Sequence, residues 1–229
     1  MEQVPFADPV GAIAALHHPL SRRTYELVAE RGWIGRDEAA DALGVGRPAA
    51  AFHLDKLLVA GLLQARYERT SGRTGPGAGR TSKLYHRSPH EVDVSFPPRR
   101  YDLAGSLLAD ALTRAATGQT NVQDALAEAA HDTGTRIGHQ AAEHRGRTTP
   151  RTALIQVLTN NGYQPHQHGR DIVLTNCPFH TLVDQHPDLV CQMNLDLLNG
   201  VVDGLGCTEK IRATLKPTES QCCVRLSPH

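Results

Sequence analysis

Apolar residues recur at helical spacing in several separate stretches, divided by glycine, proline and polar punctuation. Ser21–Arg31 carries Tyr25, Leu27 and Val28 behind a serine suited to an N-cap. Arg36–Leu43 predicts a short helix stopped by Gly44. Arg47–Ala60 predicts a third, with Pro48 in its first turn and an apolar stripe of Ala51, Leu54, Leu57 and Leu58. Gly61 ends it. Leu62–Arg69 and Thr81–Arg87 then read as two strands around residues 71–79, which hold four glycines and one proline. Pro89, Pro97 and Pro98 mark a linker.

The second half opens with two long Ala- and Leu-rich helices, Tyr101–Thr117 and Val122–His144. Arg151–Asn160 follows as a helix. Tyr163–His168 and Asp171–Thr175 predict a hairpin turning at Gly169-Arg170. Asp188–Leu205 predicts a helix closed by Gly206, and Lys210–Lys216 and Gln221–Leu226 predict strands. The expected class is α+β. Three regions are expected: 1–90, a helix-turn-helix unit; 91–147, a linker and helical region; 148–229, an α/β region with short antiparallel strands.

Composition changes this picture mainly through its asymmetry. The 229 residues hold 24 basic and 24 acidic side chains. Residues 1–100 carry 14 basic against 11 acidic, whereas residues 101–229 carry 10 against 13. Within 66–87, Arg66, Arg69, Arg73, Arg80, Lys83 and Arg87 face Glu68 alone. Aromatic content of 4% argues against stacking platforms for single strands. The N-terminus lacks a signal-peptide pattern, and no window approaches the ~20 apolar residues of a membrane helix. A soluble, cytoplasmic protein with no membrane partner is the expectation.

The helix pair joined through Gly44-Val45-Gly46, followed by a basic hairpin, has the order of a winged helix-turn-helix. Its second helix would enter a major groove by its N-terminal end. Arg47, His53 and Lys56 are the candidates for groove contact. Arg69, Arg73, Arg80 and Lys83 are the candidates at the wing, where cations reach phosphates. The competing reading is a helical unit with a solvated basic face.

His18-Pro19-Leu20-Ser21-Arg22, Ala49 through Leu57, Gly61-Leu62-Leu63 and Gly79 through Tyr85 resemble the winged helix of ArsR/DeoR-type bacterial repressors. The resemblance spans residues 15–90. It implies a homodimer that binds a double-stranded operator with inverted-repeat symmetry. Tyr101–Thr117 is the candidate dimerisation helix, an ordinary core helix being the alternative.

All five cysteines fall after residue 176, as Cys177, Cys191, Cys207, Cys222 and Cys223. Their spacing, C-x13-C-x15-C-x14-C-C, contains no tight C-x2-C pair of the kind structural zinc uses. Ligands this far apart need a fold that gathers them, which suits thiolates on an iron cluster. Cys177, Cys191, Cys207 and Cys222 are the expected ligands, with His180, His186 and Cys223 as alternates. Cys191 is expected in the first turn of its helix, where the dipole favours a thiolate. Cys222 is expected to share a strand face with Val224 and Leu226, and Cys223 to point away. One difficulty stands out: sixteen residues of unbroken helix separate Cys191 from Cys207 by about 24 Å. A break near Asn199-Gly200 would relieve it. Spacing alone leaves the cysteines open as small buried hydrophobes.

Asn176-Cys177-Pro178-Phe179, His186 through Leu189 with Cys191, and Cys222-x-Val224-x-Leu226 resemble the C-terminal region of SufR-type iron–sulfur repressors. The resemblance implies an iron–sulfur cofactor, 4Fe-4S favoured over 2Fe-2S, and control of cluster-assembly or redox-response genes. The intervals are slightly longer here and Cys222-Cys223 is doubled. Haem at Cys177-Pro178, a small-molecule-responsive regulator with redox thiols, and a zinc-structured interaction domain are the alternatives. His166 and His168 fit a polar hairpin tip better than a metal site. His131, His139 and His144 read as helix-surface residues. No G-x-S-x-G, phosphate loop or H-E-x-x-H occurs, and no enzyme activity is expected.

Overall fold

The computed structural model describes residues 8–69, 81–118, 120–218 and 221–229. The chain is α+β and divides into two compact units, Met1–Val94 and Ser95–His229. Among the described residues no helix is long and apolar enough to cross a membrane.

Unit 1 begins with α1 (Pro9–Ala15), where Asp8 caps the backbone N–H groups of Val10 and Gly11. Next come α2 (Pro19–Arg31), β1 (Ile34–Gly35), α3 (Arg36–Leu43) and α4 (Arg47–Val59). The antiparallel strands β2 (Leu63–Arg69) and β3 (Thr81–Arg87) complete it, in a sheet ordered β1-β3-β2. Gly44 ends α3 in the left-handed region at φ 66°, which a side chain would strain. The turn Gly44–Gly46 then starts α4, with Pro48 inside its first turn. The core is Val28, Ile34, Ala50, Leu54, Leu57, Leu63 and Tyr85, with Val92 packed against it.

Unit 2 contains α5 (Tyr101–Ala116), α6 (Val122–His144), α7 (Pro150–Asn160), β4 (Pro165–His168) and β5 (Asp171–Leu174). It continues with α8 (His180–Gln185), α9 (Pro187–Gly204), β6 (Ile211–Leu215) and β7 (Val224–Pro228). The sheet is antiparallel and ordered β4-β5-β7-β6. One apolar cluster joins α7 and α9 to this sheet; another joins α5 and α6 to Phe179 and the first half of α9. The expected boundary at 147/148 therefore does not separate folded units: α5 and α6 cover α9 and belong to the same body.

Helices α6 and α9 meet along glycines. A Cβ on Gly134 would stand 2.0 Å from the Leu197 carbonyl oxygen, and one on Gly200 would stand 2.1 Å from that of His131. No backbone shift smaller than a helix displacement relieves such contacts. This close approach fixes α9, and α9 carries two of the side chains that build the thiol centre.

Candidate thiol centre and candidate nucleic-acid face

The sheet, α9 and the Asn176–Pro178 loop gather four cysteines. Cys177 follows β5, and its thiol lies beside that of Cys222. Cys223 neighbours Cys222 on one side and Cys191 of α9 on the other. The four sulfurs thus form a continuous run drawn from three separate parts of the chain. Cys177 and Cys191 are half-buried; Cys222 and Cys223 are buried.

Asn194, one turn after Cys191, is fully buried and donates from Nδ2 to the Cys222 sulfur at 3.2 Å. Its Oδ1 accepts from the Tyr163 hydroxyl at 2.5 Å. Burial pushes the Tyr163 phenol well above its ordinary value, so this hydroxyl remains a donor. The neighbouring Cys177 and Cys223 thiols hold the Cys222 thiol below its ordinary value. The neighbouring Cys222 and burial raise Cys177.

Three expectations for the thiols change. Cys207 stands apart: α9 is unbroken through Asn199-Gly200, and Cys207 lies past its far end, buried beside Leu205. Cys223 takes its place. The pair Cys222-Cys223 precedes β7 in irregular backbone, so strand alternation does not send the two side chains to opposite faces. Cys191 is the fifth residue of α9 rather than a first-turn residue, beyond the N–H groups left free at a helix start. Burial raises its thiol instead.

His180 and His186 occupy exposed positions, His180 opening α8 and His186 between α8 and α9. Among the described residues no set of three or more His, Cys, Asp or Glu is arranged around a single metal ion. The donors are nevertheless of the kind an iron–sulfur cluster takes: soft sulfurs in an apolar shell, with an amide N–H aimed at one of them.

In unit 1, α4 buries Ala50, His53, Leu54, Leu57 and Leu58. His53 is only 7% exposed and cannot read a groove. Its Nδ1 lies 2.9 Å from the Ser21 hydroxyl, and its ring stacks on His18. Burial, with His18 and Lys56 nearby, pushes His53 below the usual histidine value. The outward side chain is its neighbour Phe52, 65% exposed, one helical turn after the exposed Pro48. The spacing 50-53-54-57-58 contains this result, since it places His53 inside the apolar stripe.

Arg47 pairs with Asp37 on α3, both exposed. Lys56 is half-buried. Lys83 is committed inward: its Nζ donates to Asp55 at 2.8 Å, with 16% of its side chain exposed. Asp55 also accepts from Arg36 and Tyr85. Partial burial would raise the Asp55 carboxyl, but the bonds from Lys83 and Tyr85 and the Arg36 charge bring it below its usual value. Lys83 therefore ties the hairpin to α4 instead of projecting from it. Arg69 ends β2, paired with Thr81. Arg73 and Arg80 lie outside the described residues.

Comparison with family models, curated proteins and solved structures finds no match.

Proposed function

We propose that the chain is a DNA-binding transcription regulator, acting as a homodimer, whose affinity for an inverted-repeat operator is set by an iron–sulfur cluster. The observation that carries this reading is the run of Cys177, Cys222, Cys223 and Cys191 in a unit covalently joined to a helix–turn–helix with a hairpin. The order α2, α3, α4 and then the β2–β3 hairpin in unit 1 supports a winged helix.

Residues of unit 1 would divide the binding work. Arg47, at the start of α4, offers a guanidinium to a phosphate. Its exposed pair with Asp37 is worth at most about 1 kcal/mol, so a phosphate replaces Asp37 at small cost. Phe52 presents an apolar edge suited to a thymine methyl group. Asp55, Arg36, Lys83 and Tyr85 hold α4 against β3 and fix the angle of that face.

In unit 2, Cys177 and Cys191 would hold the cluster together with the Cys222-Cys223 pair, and Cys207 would stay outside. A bound cluster supplies a redox- and oxygen-sensitive group whose loss frees these thiols. Asn194 holds Cys222 in place and Tyr163 holds Asn194. The dimer reading rests on α5. Its open face carries Gly105, Ala109, Leu112 and Ala116, at i, i+4, i+7 and i+11, with Leu108 half-buried beside them. Such a stripe of small and apolar residues lets two copies of the helix approach closely.

Anaerobic purification with iron and acid-labile sulfide assays tests the reading. Iron and sulfide in the protein are expected. Metal-free protein after anaerobic reconstitution overturns it. A Soret band would point to haem, and zinc alone to a structural metal domain.

A further inference from the structure

The loop that carries Cys177 is fastened on both sides to one short segment of chain, Pro98–Arg100. Before Cys177, the buried side chain of Asn176 donates from Nδ2 to the Pro98 carbonyl at 3.0 Å and to the Gly162 carbonyl at 2.5 Å. Its Oδ1 accepts from Arg99 Nη1 at 2.6 Å. The same Arg99 nitrogen donates to the Cys177 carbonyl at 3.3 Å. After Cys177, the Pro178 carbonyl accepts from the backbone N–H of Arg100 at 3.0 Å. Gly162, at φ +86°, leaves room for the crossing: a Cβ there would press on Pro98 at 3.3 Å and Pro178 at 3.4 Å.

Asn176 is 6% exposed, and its oxygen and both amide hydrogens are used. A buried amide satisfied in this way has one favoured position, and displacing it strands polar groups. Cys177 cannot shift along the loop without pulling on Asn176 or Pro178. Either pull reaches Pro98–Arg100.

That segment has two continuations. Arg100 is the residue immediately before α5, the helix with the open small-residue face. In the other direction, Val92 packs against the core of unit 1, and only residues 93–97 lie between it and Pro98.

We propose that Asn176 is a positioning residue that couples the occupancy of Cys177 to the Pro98–Arg100 segment, and through it to operator affinity. The inference rests on the reading of the thiols as a cluster site and names how that site regulates binding. Asn176 touches no cluster donor with its own side chain; it sets the linker according to where Cys177 is held.

The test uses the full chain, reconstituted anaerobically with iron and sulfide. Iron, sulfide and visible absorption are measured beside operator affinity with and without the cluster. Couplings of this kind commonly span about 5- to 150-fold. Asn176→Ala protein that carries the cluster is expected to show a ratio of cluster-bound to cluster-free affinity within about twofold of unity. Arg99→Ala, whose side chain lies on the linker side of the contact, is expected to uncouple likewise, and Arg99→Lys to restore part of the ratio. It carries the test if Asn176→Ala misfolds. Iron-loaded variants that keep the wild-type ratio overturn the relay and leave the cluster reading standing. Wild-type protein that takes up no iron overturns both.

Discussion

The side-chain amide of Asn194 donates to the sulfur of Cys222 at 3.2 Å, while its carbonyl accepts from the Tyr163 hydroxyl. All three groups are buried. Asn194→Ala leaves the Tyr163 hydroxyl without its acceptor, which costs about 1–3 kcal/mol. Tyr163→Phe strands the Asn194 oxygen at a comparable cost. Because the two share one bond, the double variant should lose less than the sum. Far-UV circular dichroism of the full chain in denaturant checks this. Additive losses would mean that the bond does not contribute.

The position of Cys207 predicts a split among the cysteine variants. Cys207→Ala should keep wild-type iron after anaerobic reconstitution, because about 20 Å of helix, from Cys191 to Gly204, lies between the two cysteines. Cys177→Ala and Cys191→Ala should load less than half of it. Iron lost in Cys207→Ala and kept in Cys191→Ala would reverse the assignment.

Much of this arrangement is legible in sequence, and the exceptions have physical causes. Helix positions follow from spacing and breakers to within a residue or two: Pro48 sits in the first turn of α4 as expected, whereas α2 opens at Pro19 with His18 as its cap and takes Ser21 inside. The helix-length argument against a joint Cys191–Cys207 site holds because α9 does not break. What the sequence conceals is register in irregular backbone. Strand alternation has no force at Cys222-Cys223, which precede β7, and so the role of Cys223 is hidden. Short elements also escape: α1 and α8 have too few residues to show a period. Contacts such as Arg99 to Asn176, 77 residues apart, leave no local trace.

The exposed face of α4 gives a prediction in which charge and shape separate. Arg47→Ala should weaken binding to every duplex and reduce the slope of log affinity against log salt by about 1. Phe52→Ala should weaken binding to the operator with the slope unchanged. His53 should behave differently from both. Fluorescence anisotropy across a salt series distinguishes them, and a changed slope in Phe52→Ala would contradict the division.

His53 gives unit 1 a pH dependence. Its folded value lies below the unfolded value of about 6.5, so the folded chain binds fewer protons. Stability from this site is full above about pH 6.5 and is lost as the pH falls through the folded value. His53→Asn keeps a polar partner for Ser21 and cannot titrate, so its unfolding midpoint should depend less on pH. Trp33, the single tryptophan, reports unit 1 unfolding by fluorescence. Equal slopes in variant and wild type below about pH 6.5 would contradict this origin.

The central claim is that one chain joins a DNA-reading face to a cluster-holding thiol centre. Its most direct test is the affinity of one purified preparation for operator DNA selected from random duplexes, measured anaerobically before and after removal of iron. The account predicts an inverted-repeat site whose affinity changes at least about fivefold on iron removal and returns on reconstitution. Identical affinity with and without iron, in protein shown to carry the cluster, would contradict it.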